Sequence, residues 1–262
     1  MTISDLFDAH LSELRKEGGT GFSLDYYLSH RGRFLRTAEM IPHGGPDRAA
    51  LEIGSTVLFQ VGLKHTYGYG RVVGNELSAR IEDKYTDRDF VICEVRTRNL
   101  SVSVNVEHEL FPFESETFDL VLCCEVLEHM DIDPMFMLAE LNRITKVGGQ
   151  IIVTTPNCCS ARNFWKIANG YRPHFFMQYE RSRSPYRHNI EHDVHSVSTL
   201  LRSAGFNPTS VETQDVFEAP LQQGLDLLWK MKLPTEHRGD GIFAIAEKVS
   251  GVADRWPAGL YV

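Results

Sequence analysis

The chain has 262 residues, of which 42% are hydrophobic and 24% charged, a composition that fits an ordinary globular protein and excludes disorder as the default. Its net charge of −8 at pH 7 argues against a chain-wide electrostatic footprint for nucleic acid and leaves room only for a local basic patch. No run approaches the roughly 18 apolar residues of a membrane span, and the amino terminus lacks a signal-peptide core, so a cytoplasmic location is expected.

From Ser4 as cap, Leu6, Phe7, Leu11 and Leu14 recur at helical spacing until Gly18, Gly19 and Gly21 end the pattern. A second helix is expected over Leu24 to Met40, closed by Ile41-Pro42 and the turn His43-Gly44-Gly45-Pro46. Residues 1–48 thus read as an amino-terminal helical cap.

Strand-like runs then alternate with helical ones: Ala49–Gly54, Arg71–Glu76, Ser101–Val106, Phe118–Cys123, Gln150–Thr155, Thr209–Val216 and Ile242–Ala246. The alternation predicts an α/β domain over 49–250 with a mostly parallel seven-stranded sheet and helices on both faces. The helix before the fifth strand is the clearest element, with Asp133 as cap, Pro134 in its first turn, a Met135, Leu138 and Leu141 stripe, and Gly148-Gly149 as stop.

Residues 157–189 form an irregular stretch in which Arg172, Arg181, Arg183 and Arg187 mix with Tyr171, Phe175, Phe176, Tyr179 and Tyr186. It follows a strand's carboxyl end, where open α/β sheets bind ligands, and reads either as a substrate lid or as a partly buried loop with solvated arginines. A short tail, 251–262, closes the chain. The five cysteines include the pairs Cys123-Cys124 and Cys158-Cys159 but no C-x-x-C spacing, and read as reduced, mostly buried thiols.

Ala50-Leu51-Glu52-Ile53-Gly54 resembles the first motif of class I S-adenosylmethionine-dependent methyltransferases of type 11/23, although Ser55-Thr56-Val57-Leu58 stands where two further glycines are usual. Glu76 falls 22 residues after Gly54, the spacing at which doubly wound folds set an acid against ribose hydroxyls. Asn105-Val106-Glu107-His108-Glu109, Phe118-Asp119-Leu120-Val121, Val147-Gly148-Gly149, Ile152–Asn157 and Ala204-Gly205-Phe206 continue the resemblance in the family's order, from about Ala49 to Lys248. It implies a Rossmann-like doubly wound fold binding S-adenosyl-L-methionine through Glu52, Gly54, Ser55, Glu76, Glu107, His108 and Glu125, with Glu107 at the adenine edge. The plainer reading of Glu52, Glu76 and Glu107 is that they are solvated strand-end carboxylates.

Glu125-Val126-Leu127-Glu128-His129-Met130 carries an E-x-x-E-H spacing similar to that of ubiquinone-pathway O-methyltransferases and small-RNA 2′-O-methyltransferases. That resemblance implies a divalent cation (Mg²⁺, Mn²⁺ or Fe²⁺) held by Glu125, Glu128, His129 and a later histidine, here His188, which lies five residues before the helix cap Asp193. In metal-free relatives the acids orient the cofactor, and His129 or His188 could serve as the base. His192 and His195, at the start of the helix capped by Asp193, read as surface positions.

The function expected is O-methylation of a small-molecule or sugar hydroxyl. Two alternatives remain open here: RNA 2′-O-methylation, disfavoured by the net charge, and a degenerate, non-catalytic binding protein, prompted by the altered first motif. Oligomeric state has no signature in the sequence.

Overall fold

The computed structural model describes residues 1–16, 22–77, 84–173 and 187–261. Helices α1 (Ile3–Lys16), α2 (Phe22–Ser29) and α3 (Arg31–Met40) lead into β1 (Ala49–Ile53), α4 (Val57–His65), β2 (Arg71–Asn75), β3 (Tyr85–Ile92) and β4 (Val95–Val102). The second half runs β5 (Phe118–Cys124), a 3-10 turn (Leu127–His129), α5 (Pro134–Ile144), β6 (Thr145–Pro156), α6 (Ala161–Ala168), α7 (Val194–Ser203), β7 (Phe206–Gln214), α8 (Gln222–Lys230) and β8 (Gly241–Lys248).

The strands form one sheet in the order β3-β4-β2-β1-β5-β6-β8-β7. Strands β4, β2, β1, β5 and β6 are mutually parallel, whereas β3 and β8 enter antiparallel. This is a Rossmann-like doubly wound α/β fold, and its switch point lies between β1 and β5, whose carboxyl ends stand side by side.

Alternation along β1 sends Leu51 and Ile53 to one face and Ala50 and Glu52 to the other. Leu138 and Leu141 of α5 with Val197, Leu200 and Leu201 of α7 bury the first face, and Leu6, Phe7, Phe34, Leu58 and Phe59 of α1, α3 and α4 bury the second. The amino-terminal helices are therefore part of the sheet's second layer.

Several sequence expectations need correction. Helix α1 is capped by Thr2, whose hydroxyl accepts from Asp5 N at 3.1 Å while its own N–H donates to the Asp5 carboxylate at 2.8 Å, so Ser4 lies inside the helix. The expected helix over Leu24 to Met40 is two helices, because Ser29 Oγ donates to the carbonyls of Asp25 and Tyr26 and competes with the helical ladder.

The sheet has eight strands, and the third expected strand starts earlier, at Val95, because it pairs as a hairpin with the unforeseen β3. Strand β3 is an edge whose first five residues are exposed, so it shows no buried stripe to read. His192 is buried, with its ring bonded to the Leu127 backbone, whereas His195 is exposed as expected. Only Cys123 is a fully buried thiol; Cys93 and Cys159 are exposed. Of the expected lid, residues 174–186 lie outside the described residues.

Asp133 caps α5 as expected, accepting from Phe136 N at 3.2 Å, and it also organises the tail. Arg255 pairs with both of its oxygens, and Tyr261 OH donates to it at 2.6 Å while accepting from Met135 N at 3.0 Å. Replacing Asp133 with Ala removes the cap and two tail contacts together. The expected loss is about 2 kcal/mol, the upper end for a cap, read as a lower urea midpoint at unchanged slope.

Candidate active site

At the end of β1 the chain turns sharply through Gly54, whose φ of +68° suits glycine. Ser55 N donates to the Asn75 carbonyl at 2.9 Å, tying this turn to the end of β2. The side chains that replace the missing glycines each have a partner of their own. Ser55 Oγ donates to Glu76 at 2.9 Å, Thr56 caps α4 and gives both its N–H and its hydroxyl to Glu52 at 2.9 Å, and Val57 packs into the core.

Glu52 is 2% exposed and also accepts from Gln60 Nε2 at 2.8 Å. Burial pushes its pKa up to about 8, against the opposing effect of the Gln60 and Thr56 hydrogen bonds and of Arg33. Glu76, at the end of β2, is held by Ser55 on one oxygen and by an ion pair to Arg88 of β3 on the other. Glu107 turns to the loop after the 3-10 turn, where it accepts from Asp131 N at 2.5 Å and Ile132 N at 3.2 Å. His108, its neighbour, closes the turn by donating its N–H to the Asn105 carbonyl at 3.2 Å.

The end of β5 carries the densest chemistry. Glu125 adopts a left-handed conformation, φ +55°, with its N–H on the Thr154 carbonyl at 2.8 Å and its carboxylate accepting from Thr154 Oγ1 at 2.8 Å. Glu128 is fully buried; its Oε2 accepts from Thr155 Oγ1 at 2.9 Å, while its Oε1 has no hydrogen-bond donor. That oxygen lies 3.9 Å from Nε2 of His129 and 3.9 Å from Nε2 of His188. Burial first, and then the neighbouring Glu125, raise the Glu128 pKa well above the carboxylate range, and burial lowers that of His129.

Above these acids sits Arg33 of α3, 2% exposed. One of its terminal nitrogens donates to Tyr26 OH at 2.9 Å, its guanidinium lies 4.2 Å over the Phe34 ring, and its Nε has no partner. Glu125, Cys124 and Glu128 are its electrostatic neighbours, and Glu52 feels its charge as well. Among the described residues the site is therefore an acidic chamber with one buried cation.

Residues 51–153 match the family model described as a methyltransferase domain. An uncharacterized methyltransferase of Schizosaccharomyces pombe is 33% identical over 95 residues, which are 35% of this chain and 34% of that protein. The match thus spans about a third of this curated relative's length. An S-adenosylmethionine-dependent methyltransferase from Archaeoglobus fulgidus superposes with a TM-score of 0.55 at 17% identity, covering 87% of this chain and 100% of that one.

Residues 51–153 thus form a methyltransferase domain, and the chain as a whole shares the fold of solved S-adenosylmethionine-dependent methyltransferases. A geranyl diphosphate C-methyltransferase from Streptomyces coelicolor, solved with Mg²⁺, geranyl diphosphate and S-adenosyl-L-homocysteine, shares the fold at a TM-score of 0.50 and 18% identity, covering 86% of this chain and 82% of that one. As in other doubly wound folds, this chain gathers its candidate residues at the carboxyl ends of the strands.

Of the residues singled out in the sequence, Glu52, Gly54, Ser55 and Glu76 meet at the β1 and β2 ends, and Glu128, His129 and His188 form one cluster whose ligand atoms lie within 4.8 Å of one another. Glu125 adjoins this cluster without being a member of it. Arg33 and Arg88 were missed. Arg33 was one of several arginines in a helical stretch, and nothing in its spacing marks the one that turns inward. Arg88 lies on the strand that the sequence did not disclose.

The raised Glu52 pKa has a signed consequence. The folded state retains a proton that the unfolded chain gives up near its ordinary value of about 4.3, so this contribution to stability is full below that pH and is lost as pH rises toward 8. The stability of the wild type relative to Glu52→Gln should therefore fall between about pH 5 and pH 8, as compared by urea midpoints. A difference that stays constant over that range would contradict the burial of an ionisable group at position 52.

Proposed function

We propose that the chain uses S-adenosyl-L-methionine to methylate a hydroxyl of a small molecule or sugar. The observation that supports this reading best is the convergence of Glu128 Oε1 with the Nε2 atoms of His129 and His188 beside the switch point. Nδ1 of His129 faces the Arg187 carbonyl at 2.9 Å, and Nδ1 of His188 faces the Glu191 carboxylate at 3.3 Å. Assigning the ring protons to these Nδ1 atoms leaves a lone pair on each Nε2. Two imidazole nitrogens then face a buried carboxylate oxygen, an arrangement that calls for a proton or a cation between them.

For a hydroxyl acceptor, His129 or His188 would take the hydroxyl proton, while bound S-adenosyl-L-methionine would supply the methyl group and leave as S-adenosyl-L-homocysteine. The lowered pKa of His129 keeps that ring in the neutral form a base requires at pH 7. The donor set also fits a divalent cation: a carboxylate oxygen and two imidazoles whose far nitrogens are held by a carbonyl and a carboxylate. Glu128, His129 and His188 would hold Mg²⁺, Mn²⁺ or Fe²⁺, with Glu125 beside them, and such an ion would polarise the acceptor hydroxyl.

The cofactor fits the remaining groups. Glu76 keeps acceptor capacity for a ribose diol after satisfying Ser55 and Arg88, since a carboxylate has about four acceptor positions. The unpartnered Nε of Arg33 is a buried donor suited to the methionine carboxylate, and the acids around it suit the ammonium and sulfonium charges. Glu107 and His108 are the candidates for the adenine side. That Ser55, Thr56 and Val57 all have partners of their own supports a working cofactor turn over a degenerate one.

Calorimetry and a methyl-transfer assay test the two halves separately. Glu76→Ala should weaken S-adenosylmethionine binding roughly 10- to 100-fold, the worth of hydrogen bonds to a charged group. Glu128→Gln and His188→Ala should keep cofactor binding yet lose transfer of radiolabelled methyl to hydroxyl acceptors. A wild-type chain that gives no heat with millimolar S-adenosylmethionine would overturn the reading.

A further inference from the structure

A second cluster of ligating atoms lies where β6 runs out, and the methyl-transfer reading makes no use of it. The Sγ atoms of the adjacent Cys158 and Cys159 are 3.8 Å apart, and a carboxylate oxygen of Asp193 lies within 4.8 Å of both. Cys159 is exposed and Cys158 partly so, which leaves the pair open to solvent.

Backbone and side-chain bonds fix each member in place. The buried Asn157 accepts from Cys159 N at 3.0 Å through Oδ1, and its Nδ2 donates to the carbonyls of His237 and Gly239 at 3.0 and 2.7 Å. Cys158 N donates to the His192 carbonyl at 2.9 Å, and Arg238 donates to the Cys159 carbonyl at 2.9 Å. Asp193 accepts both cap bonds of α7, from His195 N and Ser196 N, on a single oxygen, Oδ1, so the cap makes no use of Oδ2.

The sulfur spacing is the decisive measurement. Two thiolates bound at about 2.3 Å to a tetrahedral ion stand about 3.8 Å from each other. The pair already holds that separation, so an ion would need little rearrangement to bind. The contact with Cys158 lowers the Cys159 pKa, with Arg238 and His195 helping and burial and Asp193 opposing, so one thiolate of the pair is favoured.

We propose that Cys158, Cys159 and Asp193 form a binding site for a thiophilic divalent cation such as Zn²⁺, with the fourth position taken by water or by His195. Its soft donors set it apart from the oxygen and nitrogen cluster at Glu128. An ion bound here ties the end of β6 to the start of α7. The segment that precedes α7 carries His188 and Glu191, so the same ion steadies one wall of the imidazole cluster.

The test uses the full chain, reduced and stripped of metal, titrated with Zn²⁺ against a chromophoric chelator and then with Co²⁺. The expected result is a sulfur-to-cobalt charge-transfer band and tight Zn²⁺ retention in the wild type, in Cys93→Ser and in His129→Ala/His188→Ala. Cys158→Ser/Cys159→Ser should lose the band and that equivalent of Zn²⁺ while keeping the wild-type circular dichroism spectrum. Retention of Zn²⁺ by the serine variant at wild-type affinity would overturn the proposal, as would a wild-type Co²⁺ spectrum without a sulfur band.

Discussion

Two buried carboxylates, Glu52 and Glu128, and a half-buried third, Glu125, stand around the buried guanidinium of Arg33. Charge in such a setting is costly; the fold meets that cost with local donors, and burial raises the pKa of each acid. Thr56 and Gln60 serve Glu52, Thr154 serves Glu125, and Thr155 serves one oxygen of Glu128. What these donors do not satisfy are Glu128 Oε1 and Arg33 Nε.

The topology makes this concentration of acids unavoidable. Winding the chain out from β1 to β2 and back across to β5 places two carboxyl-terminal strand ends side by side with no helix between them. The hydroxyls that steady the acids come from β6, whose register sets Thr154 against Cys124. Helix α3 closes over the chamber from the second layer. It lies so close to the segment after β7 that a Cβ on Gly32 would stand 2.8 Å from the Val216 carbonyl, and Asp240 holds that segment by accepting from the N–H groups of Val216, Phe217 and Glu218. No helix among the described residues is long and apolar enough to cross a membrane.

Much of this was legible in the sequence because it rests on local rules. Apolar runs gave the central strands, the Asp133-Pro134 start gave α5, and the ordered motifs of the resemblance pointed to Glu52, Glu76 and the Glu128-His129 segment. What was not legible depends on non-local geometry. Strand β3 is an edge with little buried surface, His192 is buried because its ring bonds back to Leu127, and Arg33 differs from its helical neighbours only in the direction it faces after docking. The Cys158-Cys159 pair carried no ligand spacing in the sequence, and its third partner, Asp193, is brought beside it only by the pairing of Asn157 with His192.

The central claim is that the chamber keeps protons on buried acids until a cation replaces them. S-Adenosylmethionine carries a sulfonium charge that S-adenosylhomocysteine lacks. Titration of both by calorimetry at neutral pH, in buffers of different ionisation enthalpy, measures the protons exchanged on binding. The account predicts that S-adenosylmethionine releases more protons than S-adenosylhomocysteine, because the bound cation lowers the raised carboxyl pKa values. Equal, buffer-independent heats for the two ligands would contradict it.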